Sequence, residues 1–80
     1  MKIDKTIPQI HHWIDDTVVI DFELTQRLKD LIEEIEQLDE NEHWGYFNYV
    51  ETLDNVCKSM VGDGKMTREQ WDTLLYKYCQ

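Results

Sequence analysis

The sequence predicts an all-α fold, a small single-domain bundle of three to four helices built on an antiparallel αα-hairpin. Apolar residues recur at spacings of three and four along two long segments, as they do in helices that bury one face. The connection between these segments is so short that the two helices should be antiparallel neighbours. With 3 Gly and 1 Pro in 80 residues, the chain also lacks the turn residues of an all-β domain.

The first long helix is predicted over residues 21–40. Asp21 follows a β-branched run and is the expected N-cap residue. Acidic side chains dominate the face that is opposite to the apolar one. The apolar face of this helix comprises Leu24, Leu28, Leu31, Ile32, Ile35 and Leu38.

The second long helix is predicted over residues 42–61. Asp39 and Glu42 have the spacing of a capping box, and Gly62 is the expected left-handed residue after the last turn. Together with the first helix, this segment should form the αα-hairpin. Its apolar face comprises Tyr46, Val50, Leu53, Cys57 and Met60.

A third, shorter helix is predicted over residues 68–79. Thr67 and Gln70 fit a T-x-x-Q capping box, and Met66 and Trp71 occupy the two positions of a hydrophobic staple. The residues expected on its buried face are Trp71, Leu74, Leu75 and Tyr78.

Residues 1–20 form either a short helix or an extended arm. Thr6 and Gln9 have capping-box spacing, and Pro8 is tolerated in the first turn of a helix. Apolar residues then recur at helical spacing up to Ile14. We favour a helix over residues 7–14, with the extended arm as the alternative.

The turn before the third helix resembles the second half of an EF-hand calcium loop, on the residues Asp63-Gly64-Lys65-Met66-Thr67. In that family a Gly makes the sharp bend at loop position 6, and a Glu at position 12 binds the ion with both oxygens. The same register puts Ser59, Val61 and Gln70 at positions 1, 3 and 12, so Asp63 supplies the one carboxylate. We therefore expect a capped helix start here, without calcium.

Metal binding by histidine and cysteine is the next chemistry to consider. His11 and Asp15, like His12 and Asp16, are four residues apart and could share a helical face. The paired close spacing of a zinc motif is absent from the sequence, so no metal and no cofactor are expected. The remaining candidate ligands are His43, Cys57 and Cys79.

Catalysis is not expected from this sequence. The chain has one serine, Ser59, and its cysteines fall on or beside predicted core faces, where thiols are usually inert. A Gly-rich phosphate loop is missing. The carboxylates lie on a solvated helix face, without the apolar pocket that would raise the pKa of an acid catalyst.

Charge is strongly segregated along the chain, whose net charge is −9. Residues 15–54 carry 13 acidic and 2 basic side chains, whereas the remaining residues carry 4 acidic and 6 basic ones. This acidic band either forms a solvated face that keeps the protein soluble or forms a docking face for a basic partner. The carboxylates that we assign to a docking face are Glu33, Glu34, Glu36 and Glu40, and the negative surface around the hairpin is expected to include Asp39, Glu42 and Glu51 as well.

Aromatic residues cluster at the start of the second helix. Trp44 and Phe47 point away from its apolar face and lie beside Glu51 and Asp54, a composition typical of interface hot spots. Two structural alternatives remain. Trp44 could fold back over the hairpin loop, and Phe47 could contact the N-terminal segment.

These observations predict a small acidic protein-binding module that acts as an inhibitor or adaptor. The expected partner is a protein with a basic surface, and one form of this hypothesis is that the carboxylates imitate nucleic acid and occupy a nucleic-acid-binding groove. Direct nucleic-acid binding is not expected, because it would need a basic footprint. No apolar run exceeds three residues and no secretory signal is recognised, so we expect a cytoplasmic protein without membrane contact. We expect it to be a monomer or a weak homodimer. Small acidic proteins of this kind are common in phages and mobile elements. The alternatives are a metal-responsive regulator using His11 and His12, or a structural subunit of a larger assembly.

Overall fold

The computed structural model describes residues 2–79 and shows a mostly helical small domain. Two short strands come first, β1 (Lys2–Ile3) and β2 (Val18–Val19), followed by α1 (Gln26–Glu40), α2 (Tyr46–Gly62) and α3 (Arg68–Tyr78). The strands pair antiparallel, with Lys2 opposite Val19 and Ile3 opposite Val18. The expectation of an all-α fold therefore needs one correction, because the N-terminal segment is held by a small sheet.

The hydrophobic core lies between the three helices and the segment that leads into α1. Helix α2 packs against both α1 and α3, and α3 also contacts β2. The buried side chains of α2 are four members of its predicted apolar face, and the fifth, Met60, is half-buried. The buried hydrophobic residues are Ile14, Val18, Leu28, Ile32, Ile35, Tyr46, Val50, Leu53, Cys57, Met66, Leu74 and Tyr78.

The helix predicted over residues 7–14 does not form. This segment is an irregular loop, because two carboxylates bind four consecutive backbone N–H groups that a helix would direct to its own carbonyls. Asp16 accepts from Ile10 and His11, whereas Asp39 accepts from His12 and Trp13. The extended alternative is closer to what the structure shows.

Helix α1 begins five residues later than predicted, at Gln26. Asp21 is exposed, and Thr25 is the N-cap residue, whose hydroxyl accepts the Leu28 N–H at 3.4 Å. The buried face is also rotated relative to the prediction. Its members are Leu28, Ile32, Ile35 and Asp39, while Leu31 and Leu38 are half-buried.

The capping box predicted for Asp39 and Glu42 at the start of α2 is wrong. Both residues belong to the end of α1, which closes in a Schellman motif. The His43 N–H donates to the Leu38 carbonyl at 2.9 Å, and the Glu42 N–H donates to the Asp39 carbonyl at 3.0 Å. Glu42 takes the left-handed position of the motif with a φ of 50°. Helix α2 therefore starts only at Tyr46.

The end of α2 repeats this motif two residues beyond the predicted position. Gly62 is still helical, and Gly64 takes the left-handed conformation with a φ of 74°. Its N–H donates to the Val61 carbonyl at 3.1 Å, and the Lys65 N–H donates to the Met60 carbonyl at 2.8 Å. The chain then turns directly into α3.

The start of α3 has the predicted capping box. The Thr67 hydroxyl accepts the Gln70 N–H at 3.1 Å, and the Gln70 side chain accepts the Thr67 N–H at 3.1 Å. Near the other end, the ammonium of Lys77 donates to the carbonyls of Asp15 and Val18, at 3.1 and 2.7 Å. Burial lowers the pKa of Lys77 although nearby carboxylates oppose that shift. This lysine attaches the N-terminal segment to α3.

Candidate functional site

Three aromatic rings meet where the N-terminal loop crosses the start of α2. Trp13 lies 5.0 Å from Tyr46 and 5.2 Å from Phe47, measured between ring centroids. Tyr46 is buried, and its hydroxyl donates to the Tyr78 carbonyl at 2.5 Å. Phe47 forms the outer edge of this cluster and remains 53% exposed. The contact between Phe47 and the N-terminal segment, one of the two structural alternatives, therefore exists but covers only half of the ring.

Trp44 lies outside this cluster, in the connection between α1 and α2. Its ring stacks on that of His43 with the centroids 5.4 Å apart, and 72% of the side chain is exposed. His43 is itself held by the Gly45 N–H, which donates to its Nδ1 at 2.9 Å. Trp44 thus contacts the connection locally but does not fold into the core.

A shallow groove of about 300 Å³ runs between α2 and α3 beside Phe47. Glu51 and Asp54 stand at this groove, so it unites three of the four residues predicted at the start of α2. Trp44 does not line it. We call this feature the α2–α3 groove. Its lining residues are Phe47, Val50, Glu51, Asp54, Leu75 and Cys79.

The Cys79 thiol, which lines the groove, is poorly reactive. Burial, with a contribution from the nearby carboxylate of Asp54, raises the pKa of Cys79 to about 11. Burial, with contributions from Asp54 and Cys79, raises the pKa of Cys57 to about 12. Both cysteines are free and protonated at neutral pH, so neither is an activated nucleophile.

The acidic face of α1 is formed as expected by exposed glutamates, namely Glu33, Glu34, Glu36 and Glu40. None of them lines the α2–α3 groove, so the aromatic and acidic residues do not form one continuous site around it. Asp39, which the helical pattern suggested as part of this negative surface, is fully buried.

Asp39 was misassigned because a carboxylate is usually expected in solvent. Its two oxygens accept the backbone N–H groups of His12 and Trp13, at 3.1 and 2.6 Å. These contacts satisfy the buried charge and hold the loop that carries Trp13 against α1. A signal was present in the sequence, since Asp39 continues the spacing of Ile32 and Ile35 by a further four residues.

The histidines pair with acids, but in other combinations than helical spacing predicted. His11 Nδ1 lies 2.5 Å from Asp16, and His12 Nδ1 lies 3.1 Å from Glu42. Burial tends to raise the pKa of Asp16, but hydrogen bonds from residues 10 and 11 outweigh it and the net shift is downward. Across residues 2–79, no three His, Cys, Asp or Glu side chains are grouped as metal ligands would be.

Comparison with known proteins finds no match among family models, curated sequences or solved structures. Among the helices that the structure describes, none combines the length and the apolar character needed to cross a bilayer.

Proposed function

We propose that this protein is a small acidic binding module that inhibits or adapts a protein partner with a basic surface. The observation that carries this proposal is the exposure of two large aromatic side chains, Trp44 at 72% and Phe47 at 53%. Large rings contribute little to folding when they face water, whereas tryptophan and tyrosine side chains dominate the energetics of many interfaces. Glu51 is exposed and lines the groove beside Phe47, and its carboxylate favours a cationic partner.

The glutamates of α1 provide the second part of the proposal. We take α1 and α2 as an antiparallel hairpin, with the acidic face of α1 on its outside. Exposed carboxylates act over a Debye length of about 8–10 Å, so they should accelerate association with a basic surface more than they slow dissociation. In this scheme the aromatic residues hold the partner after the acidic face has attracted it.

The partner is best sought by affinity capture from the source cell, followed by binding kinetics with the purified partner. Reversing Glu33, Glu34 and Glu36 to Lys should slow association roughly tenfold and flatten its salt dependence. A matched control changes the net charge equally by reversing three exposed acids outside α1, and it should have a much smaller effect. These control residues are Asp21, Glu23 and Asp63.

The aromatic residues are tested by single truncations in the same assay. Trp44→Ala and Phe47→Ala should each weaken binding by about 2 kcal/mol, mainly through faster dissociation. Circular dichroism should show that both variants remain folded. A partner whose binding ignores salt, the charge reversals and both truncations would contradict the proposal.

Imitation of nucleic acid is a narrower form of the same proposal. The carboxylates would then occupy a groove in which the partner normally holds phosphates. A labelled DNA or RNA that binds the purified partner should be displaced by this protein. The displaced fraction should follow the fraction of partner molecules that this protein occupies. Salt-dependent binding without such competition would leave an ordinary acidic docking face.

A further inference from the structure

The α2–α3 groove combines an apolar floor with acidic side chains at one helix. Val50 is buried, and Leu75 and Cys79 are half-buried, so the floor is accessible but not fully solvated. Glu51 is exposed and follows Val50 directly on α2. A ligand that filled this groove would therefore need an apolar group next to a cationic one.

Within the part of the chain that the structure describes, the acidic groups at the groove have no cationic partner. Over residues 2–79, no Lys, Arg or His comes within ion-pair distance of Glu51 or Asp54. Asp54 is nevertheless oriented, because the Trp71 indole N–H donates to one of its oxygens at 2.9 Å. Residues three apart on a helix have Cβ atoms about 5–6 Å apart, so one cationic side chain could lie near both carboxylates.

We infer that the α2–α3 groove binds a short peptide segment in which one large apolar side chain is flanked by lysine or arginine. The inference rests on the proposed function and specifies the part of the partner that is recognised. Charge selects this occupant over others. Phosphates would be repelled by Glu51 and Asp54, and a second copy of this chain would bring its own net charge of −9.

The test uses three capped pentapeptides as probes in a titration followed by the backbone amide signals of the protein. Lys-Lys-Phe-Lys-Lys should shift the signals of Val50, Leu75 and Cys79 in a saturable manner. Replacing its Phe by Gly, or its lysines by glutamates, should abolish saturation. Cys79 gives an independent readout, since the bound phenylalanine peptide should slow its alkylation by N-ethylmaleimide several-fold.

Two variants that lose the same charge distinguish a local effect of the groove carboxylates from the overall negative potential of the protein. Glu51→Gln with Asp54→Asn removes two charges at the groove and keeps an oxygen for the Trp71 indole. Exposed ion pairs are individually weak, so this variant should weaken the phenylalanine peptide about fivefold. Asp21→Asn with Glu23→Gln removes two exposed charges outside the groove and outside α1 and should change the affinity less than about twofold.

Three results would overturn the inference. The first is an equal loss of affinity in the two variants, and the second is equal binding of the glycine peptide. The third is protection of Cys79 that grows with protein concentration in the absence of peptide, together with a dimer in sedimentation, because the occupant would then be a second copy. If these results appear while reversal of the α1 glutamates still slows partner association, the groove fails and the proposed function stands.

Discussion

Replacing Asp39 by alanine should destabilise the protein far more than any other loss of a single acidic side chain. Asp39 is fully buried and accepts the N–H groups of His12 and Trp13. A hydrogen bond to a charged group contributes about 1.5–3 kcal/mol, and Asp39→Ala leaves two partly buried N–H donors without this partner. After allowance for the desolvation of the carboxylate, the expected loss is about 3–4 kcal/mol.

That loss is large relative to the whole stability of the domain. At about 0.05–0.15 kcal/mol per residue, a chain of 80 residues has a free energy of unfolding of about 4–12 kcal/mol. Each 1 kcal/mol shifts the Tm of a domain of this size by about 4–8 °C, so Asp39→Ala should lower the Tm by at least about 12 °C. Urea and thermal unfolding at neutral pH measure both quantities.

The neighbouring Glu40 is the matched control, because it is exposed and carries the same charge. Glu40→Ala should change the free energy of unfolding by less than about 0.5 kcal/mol. Asp39→Asn keeps one acceptor oxygen and should lie between the two alanine variants. Equal stability of the two alanine variants, or unchanged hydrogen exchange at His12 and Trp13 in Asp39→Ala, would refute the role assigned to this carboxylate.

Three further predictions concern the end of α1, the N-terminal loop and the thiols. Glu42→Gly should raise the free energy of unfolding by about 0.5–1 kcal/mol in a urea melt, because glycine adopts the left-handed conformation without strain, whereas Glu40→Gly inside the helix should lower it by a similar amount. Asp16→Asn should lower stability at neutral pH, and the difference from the unmodified protein should vanish in acid melts. The folded pKa of Asp16 is depressed below 3.8, so its contribution is present above about pH 4 and lost as pH falls through the folded pKa. A neutral thiol reagent should label half-buried Cys79 faster than buried Cys57 in the native protein, and equal native rates would contradict this assignment.

Local sequence signals determined the parts of the fold that depend on neighbouring residues. The capping box of Thr67 and Gln70 is formed by side chains three residues apart, so its chemistry is complete within one turn. The apolar spacing from Tyr46 to Cys57 likewise selected the buried face of α2. The exposed glutamates of α1 and the exposed ring of Phe47 followed from the same helical periodicity, whereas Trp44 lies in the connection between α1 and α2, where that periodicity does not apply.

Tertiary structure decided the features that depend on residues distant in sequence. Residues 7–14 carry a helical pattern, but Asp39 lies 26 residues beyond Trp13 and takes its N–H. The α2–α3 groove likewise needs Leu75 and Cys79 to lie beside Phe47, which only the packing of α3 on α2 brings about. Helical periodicity assigns side chains to the buried or exposed face of one helix. It does not show which backbone donors a distant carboxylate will bind, and here those donors decide whether the N-terminal segment is a helix or a loop.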